Sequence, residues 1–236
     1  MSSKKEKIED KICALISSDD FQKVSLLTAI SKEEGANFIE IRINLENDLF
    51  ALKDLSNNKY KLIFSIEPNQ VIPENYEKIF DKMKQLIEYE PYAIEINNDL
   101  PKKKILALID LAKKQEIKIH LAKYFRKKAE ITSIENLLKE LVEFNTDVLK
   151  IAIPIEMDYE VLELFSLYHK FPDTELILVP SGETNKFAQI LTAFLGAKYT
   201  YGYINRKNSE ALLPINILKR NLETLNEASE NKLFQK

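Results

Sequence analysis

The sequence predicts an α/β protein folded as one (β/α)8 barrel. Three observations predict it. Short apolar runs alternate with longer amphipathic stretches eight times along the chain. The 236 residues fall in the lower part of that fold's length range. No linker, repeat, low-complexity tract or composition break divides the chain into two bodies. The same alternation is also compatible with a doubly wound open sheet, which is the alternative reading.

The elements follow in order. Residues 11–16 read as the first strand, and Asp19 or Asp20 can cap a helix running to Glu34, stopped by Gly35. Residues 38–43 form strand two, with a short helix expected over 48–55. Strand three covers 61–66 and ends before Pro68; Pro73 opens a helix to about Tyr89. Strand four covers 92–96, and Pro101 opens a helix to about Gln115. Strand five covers 117–121 and its helix 133–144. Strand six covers 147–153 and its helix 158–169. Strand seven covers 175–179 and its helix 184–195. Strand eight covers 199–202, and the last helix runs from Pro214 to about Ala228. The barrel therefore spans 11–228, between a polar segment at 1–10 and a polar tail at 229–236.

Composition narrows the function. The chain has 4 Gly, 2 His, 1 Cys and no Trp. Gly35, Gly182, Gly196 and Gly202 are scattered and match neither a P-loop nor a dinucleotide fingerprint. His120 and His169 cannot supply a histidine-rich metal site, and Cys13 alone forms no internal disulfide or cysteine cluster. No metal or cofactor is expected. The net charge of -3 argues against a nucleic-acid surface. No apolar run approaches 20 residues and no signal-peptide core opens the chain, so a cytoplasmic protein without membrane contact is expected. A symmetric homodimer is the default association.

In a barrel, strand residues alternate between the interior and the helix layer. Ile39, Ile41 and Ile43 form an apolar face that sends Glu40 and Arg42 inward. Ile94 and Ile96 send Glu95 inward, and Leu149, Ile151 and Ile153 send Lys150 inward. A lysine in the middle of an apolar strand is no solvated surface charge. It is either a nucleophile that forms a Schiff base with a carbonyl compound or the partner of an interior carboxylate such as Glu40 or Glu95.

These residues resemble type I 3-dehydroquinate dehydratase, a Schiff-base lyase of the shikimate pathway and aromatic amino acid biosynthesis. Gly35-Ala-Asn-Phe-Ile-Glu-Ile-Arg is similar to the family's Glu-x-Arg strand. Val148-Leu-Lys-Ile-Ala is similar to the strand bearing its Schiff-base lysine. Gly196-Ala-Lys-Tyr-Thr-Tyr-Gly-Tyr is similar to its eighth strand, followed by a lid through Pro214-Ile-Asn-Ile. The resemblance implies the barrel fold, a small carbonyl substrate, Lys150 as nucleophile, and Glu40 and Arg42 beside it. It also implies departures. The family's histidine, in a segment like Ser-x-His-x-Phe, falls at Lys123 in Leu121-Ala-Lys-Tyr-Phe125. Its carboxylate-binding arginines fall at Glu67 and Gln189, and its lid Gly-Gln becomes Ile215-Asn216.

The resemblance therefore makes Lys150, Lys123 and Glu40 the candidate catalytic residues, and Arg42, Glu67, Gln189 and Asn216 the candidate substrate contacts. Without the histidine and the arginines, ordinary dehydroquinate turnover is not expected. A non-catalytic binding homologue and Schiff-base chemistry on another carbonyl compound are the alternatives. Lys123 could act as base if Lys150 lowered its pKa, although Glu67 would raise it. His120, three residues from Lys123, is expected on the opposite face, beneath the helices.

Overall fold

The computed structural model describes residues 11–17, 21–49, 52, 55, 60–182, 186–204 and 212–230. Among the described residues nine parallel strands are ordered β7-β6-β5-β4-β3-β2-β1-β8-β9. They are β1 (Ile12–Ser17), β2 (Phe38–Ile43), β3 (Lys61–Ile66), β4 (Ala93–Asn97), β5 (Lys118–Tyr124), β6 (Val148–Pro154), β7 (Leu176–Ser181), β8 (Thr200–Tyr203) and β9 (Leu213–Pro214). Strands β1 and β8 pair in parallel, as do β1 and β2, which curls the sheet into the expected barrel. Among the described residues no ladder joins β7 to β8. At that seam the two-residue β9 pairs with β8 through Gly202 and Tyr203.

Among the described residues seven α-helices cover the sheet: α1 (Phe21–Glu33), α2 (Tyr76–Ile87), α3 (Lys102–Lys114), α4 (Ile131–Val142), α5 (Asp158–Lys170), α6 (Lys186–Phe194) and α7 (Ile215–Glu230). The short helix expected over 48–55 falls largely outside the described residues. Strand β9 was not expected, because two residues carry no periodicity.

The helix-to-strand turns show how a glycine-poor chain closes its units. Glu90, Glu116 and Asn145 follow α2, α3 and α4 with φ of 48°, 58° and 50°. Each holds the left-handed conformation that glycine adopts most easily. At the end of α1, Gly35 does the same work at φ 103°.

The alternation expected for the strands holds. Ile39, Ile41, Ile43, Ile94, Ile96, Leu149, Ile151 and Ile153 belong to one buried cluster with the helix residues Ile79, Met83, Leu108 and Leu138. Cys13, Phe38, Ile63, Ala93, Val148, Ile177, Tyr199 and Tyr201 form a separate cluster inside the barrel. Burying these side chains supplies the main driving force for the fold.

Strand β5 corrects one expectation. It runs without interruption to Tyr124, and Ile119 and Leu121 lie in the helix-side cluster. His120, Ala122 and Tyr124 therefore share the interior face. His120 does not sit beneath the helices: it is buried inside the barrel, with Nδ1 3.1 Å from the Tyr199 hydroxyl. The expectation failed because it was anchored on an inward Lys123, whereas the two apolar residues of the strand set the parity the other way.

Candidate active site

Lys150 lies midway along β6, between outward-facing Leu149 and Ile151, and its side chain is 2% exposed. Its Nζ donates to Glu40 Oε2 from β2 and to Glu95 Oε2 from β4, each at 2.8 Å. Around this pair the carboxylates are held by hydroxyls. Tyr201 donates to Glu40 Oε2 at 2.6 Å, Ser65 to Glu40 Oε1 at 3.0 Å, and Tyr124 to Glu95 Oε1 at 2.5 Å. Arg42 Nε reaches Glu40 Oε1 at 3.3 Å, and its guanidinium lies 5.6 Å from the Tyr124 ring centre. The Lys150 ammonium also stands 4.3 Å from the Tyr201 ring centre, an added stabilisation for a cation.

These contacts set the protonation states. Burial alone would drive the proton off Lys150, but Glu40 and Glu95 overcome it and hold the ammonium well above the usual lysine range. Burial opposes ionisation of Glu40 as well, yet Lys150, Arg42 and the Tyr201 hydroxyl bring its pKa down to about 2. Glu95 goes the other way: burial and the neighbouring Glu40 charge raise it, against the pull of Lys150 and Tyr124. Burial and Glu95 raise the Tyr124 phenol. A buried pair of this kind persists because each charge is matched and hydrogen-bonded.

The site opens at the C-terminal ends of the strands, where barrel function is found. A cavity of about 210 Å³ touches Lys150 and is walled mainly by Leu15, Ala152, Val179, Pro180, Tyr201 and Leu212. A larger cleft of about 730 Å³ is polar, with Ser17, Asn44, Glu67, Gln70, Asp99 and Arg126 on its walls. Arg42, Tyr124 and Phe125 line both. They form the neck between an apolar lobe over Lys150 and a polar lobe over β1–β4.

The candidate residues divide. Glu40, Arg42 and Lys150 come together. Glu67 lines the polar lobe and accepts a hydrogen bond from Ser17 Oγ. Lys123 stands on the opposite parity of β5 from Tyr124, and its ammonium pairs with Asp99 on the wall of the polar cleft. Gln189 is buried on α6 and its Oε1 accepts from Leu213 N at 2.8 Å, which anchors β9 rather than lining either lobe. Asn216 is exposed in the first turn of α7, where its side chain caps Ile217 N at 2.7 Å.

Tyr124, Tyr201 and Ser65 were not among the candidates, and Glu95 was recognised only as an inward carboxylate. Their signal lies in strand parity. Ile119 and Leu121 imply an inward Tyr124, and Ile63 beside Leu62 and Phe64 implies an inward Ser65. Among the described residues, no cluster of His, Cys, Asp and Glu has a metal-binding arrangement, and no helix is long and apolar enough to cross a membrane.

Comparison with solved structures places this architecture among 3-dehydroquinate dehydratases. The enzyme from Geobacillus kaustophilus superposes with a TM-score of 0.83 at 15% identity, covering 93% of this chain and 92% of that one. The type I enzyme from Clostridium difficile, solved with covalently modified comenic acid, gives 0.82 at 18% identity over 93% of both chains. The enzyme from Enterococcus faecalis gives 0.77 at 20% identity over 91% of this chain and 93% of that one. Comparison with curated protein sequences gives no match. The family model for type I 3-dehydroquinase matches residues 12–229, nearly the whole barrel and both walls of the Lys150 site, and the chain belongs to that family.

Proposed function

We propose that this barrel captures a carbonyl compound as an imine on Lys150 and does not dehydrate 3-dehydroquinate efficiently. The observation that carries the reading is Lys150 itself. It is a buried amine at the wall of a cavity of about 210 Å³, with a proton acceptor in hydrogen-bond contact. The resting amine is charged and cannot attack. When a carbonyl compound enters, Lys150 passes a proton across the 2.8 Å contact to Glu95 Oε2, the carboxylate whose proton affinity burial and Glu40 have raised. The neutral amine adds to the carbonyl carbon, and one proton of the adduct nitrogen passes to its oxygen to give a carbinolamine. Glu95 then returns its proton to the departing hydroxyl, which leaves as water. The products are an iminium on Lys150 and an ionised Glu95, so charge and protons balance.

Elimination beyond the imine needs a base beside the reacting carbon, with a pKa near the working pH. Three groups besides Glu95, which is engaged at the Lys150 nitrogen, come into question. His120 sits on the barrel floor against Tyr199, its pKa held down to about 4 by burial and by the Lys150 charge. Lys123 is paired with Asp99. Tyr124 is in contact with Glu95, but its phenol is raised and stays protonated. None suits the task, which supports imine formation without efficient dehydration. A base of this kind is commonly worth about 10²–10⁴-fold in rate.

A second reading is a binding barrel without covalent chemistry, and the double ion pair on Lys150 favours it. Reductive trapping separates the two. The protein is incubated with a panel of small aldehydes and ketones and borohydride, and its peptides are weighed. A reduced adduct on Lys150 with at least one compound, absent in Lys150→Met, is expected. No adduct with any compound leaves only the non-covalent reading.

A further inference from the structure

We propose that the polar lobe selects a carbonyl compound whose far end carries a positive charge, with Glu67 as the residue that sets this preference. The proposal rests on imine formation at Lys150 and names the substrate class that the site takes.

Among the described residues, every charge around the mouth except Glu67 and the exposed Arg126 has an opposite charge in ion-pair contact. Arg42 is committed to Glu40 at 3.3 Å and lies against the Tyr124 ring. Asp99 is paired with Lys123. Arg126 is exposed on the rim, where water and salt screen it. Glu67 is half-buried in the lobe, and its side chain receives only the neutral hydroxyl of Ser17. Among the described residues no lysine or arginine forms an ion pair with it. Glu67 follows β3 directly, and Glu67 N donates to Ile43 O at 3.0 Å, which fixes the carboxylate's root at the barrel rim.

A ligand that reaches from Lys150 into this lobe passes the neck formed by Arg42, Tyr124 and Phe125. Glu67, whose charge reaches Arg42 but which makes no ion pair among the described residues, favours a cation there. A ligand carboxylate would instead meet a like charge in a partly dehydrated cleft. Its natural counter-ion, Arg42, already bonds Glu40 through Nε and shares the field of Glu67. The apolar walls of the inner lobe, from Leu15, Val179, Pro180 and Leu212, fit the alkyl segment that joins the two ends.

The test uses three aldehydes of equal chain length: 4-(trimethylammonio)butanal, butanal and 4-oxobutanoate. Each is incubated with the full chain and cyanoborohydride, and labelling of Lys150 is measured by peptide mass spectrometry. Rates are divided by those for free Nα-acetyl-lysine, which removes intrinsic reactivity. The expected order is cationic, neutral, anionic, with the ends differing by at least about tenfold, or about 1.4 kcal/mol. In Glu67→Gln the spread should shrink to within about threefold. Equal or faster labelling by 4-oxobutanoate, or an unchanged order in Glu67→Gln, overturns the proposal.

If no aldehyde labels Lys150, the imine reading fails, and the charge preference is read by binding alone. Saturation-transfer NMR with choline and 4-hydroxybutanoate then decides. Preferential binding of choline that disappears in Glu67→Gln upholds the role of Glu67. Equal binding, or no binding of either compound, overturns it.

Discussion

In the middle layer of the barrel, Lys150 and Glu40 are buried and held charged. One layer below, His120, Tyr199 and Cys13 are equally buried and held neutral: the histidine pKa is lowered to about 4, and the phenol and thiol are raised. The layers share strands and solvent exclusion, so depth does not separate them. Partners do. Lys150 has two carboxylates at 2.8 Å, whereas His120 has a tyrosine hydroxyl at 3.1 Å. Burial penalises every charge, and only a matched, hydrogen-bonded counter-charge reverses the penalty. The carbonyl chemistry proposed for Lys150 would require a brief departure from that ionised state, through the Glu95 contact.

The largest expected effect comes from unbalancing the upper layer. Lys150→Met leaves Glu40 and Glu95 facing each other without a cation and should cost about 3–5 kcal/mol in a denaturant melt. Adding Glu95→Gln to it should recover part of the loss, because one repelling charge is gone. Purely additive losses would show that the layer is not a coupled network.

Acid should act on both layers in sequence. The folded pKa of His120, about 4, lies below the ordinary 6.5, so the unfolded state binds more protons between these values. Its contribution is complete above pH 6.5 and is lost as pH falls to about 4, roughly 3 kcal/mol in all. Glu40, at about 2 against an ordinary 4.5, contributes fully above pH 4.5 and loses that contribution as pH falls further. Lys150 is the mirror case. Its raised pKa gives stability that is complete below about pH 10.5 and lost only as pH rises beyond it. His120→Phe should therefore remove the first acid phase and leave the second. An unchanged melt between pH 7 and 4 would place His120 outside the neutral floor.

Much of this arrangement was legible in the sequence. Alternating isoleucines in β2, β4 and β6 placed Glu40, Glu95 and Lys150 inside, because the helix layer rejects charge at those depths. Strand β5 was harder. Its last apolar outward residue is Leu121, and nothing after it marks where the strand stops. Lys123 falls at the family's histidine position in the sequence, and in the structure its ammonium pairs with Asp99. Gln189 and Asn216 illustrate a second limit. Their roles depend on β9 and on the start of α7, and a two-residue strand leaves no pattern to read.

Smaller effects probe the rim of the upper layer. Tyr124→Phe removes the hydroxyl 2.5 Å from Glu95 and should cost about 1.5 kcal/mol, as expected for a hydrogen bond to a charged group. Lys123→Ala should change stability by less than about 1 kcal/mol, since its pair is partly exposed, and should leave Lys150 trapping unchanged. A loss of trapping in Lys123→Ala would return that residue to the chemistry. Glu116→Gly, at φ 58°, should stabilise the chain by about 0.5–1 kcal/mol, as a thermal melt would register.

Imine formation and elimination are separate steps, and one paired measurement reads both. The protein is given the aldehyde that traps best and, in a second sample, 3-dehydroquinate, with a 3-dehydroquinate dehydratase from one of the structural relatives run in parallel. Peptide mass spectrometry reads the reduced adduct, and ultraviolet absorbance reads the conjugated dehydration product. The expected result is an adduct on Lys150 with the aldehyde and dehydration at least about 10²-fold slower than in the relative. Dehydration at a comparable rate, or no adduct on Lys150 under conditions that label the relative, would contradict the account.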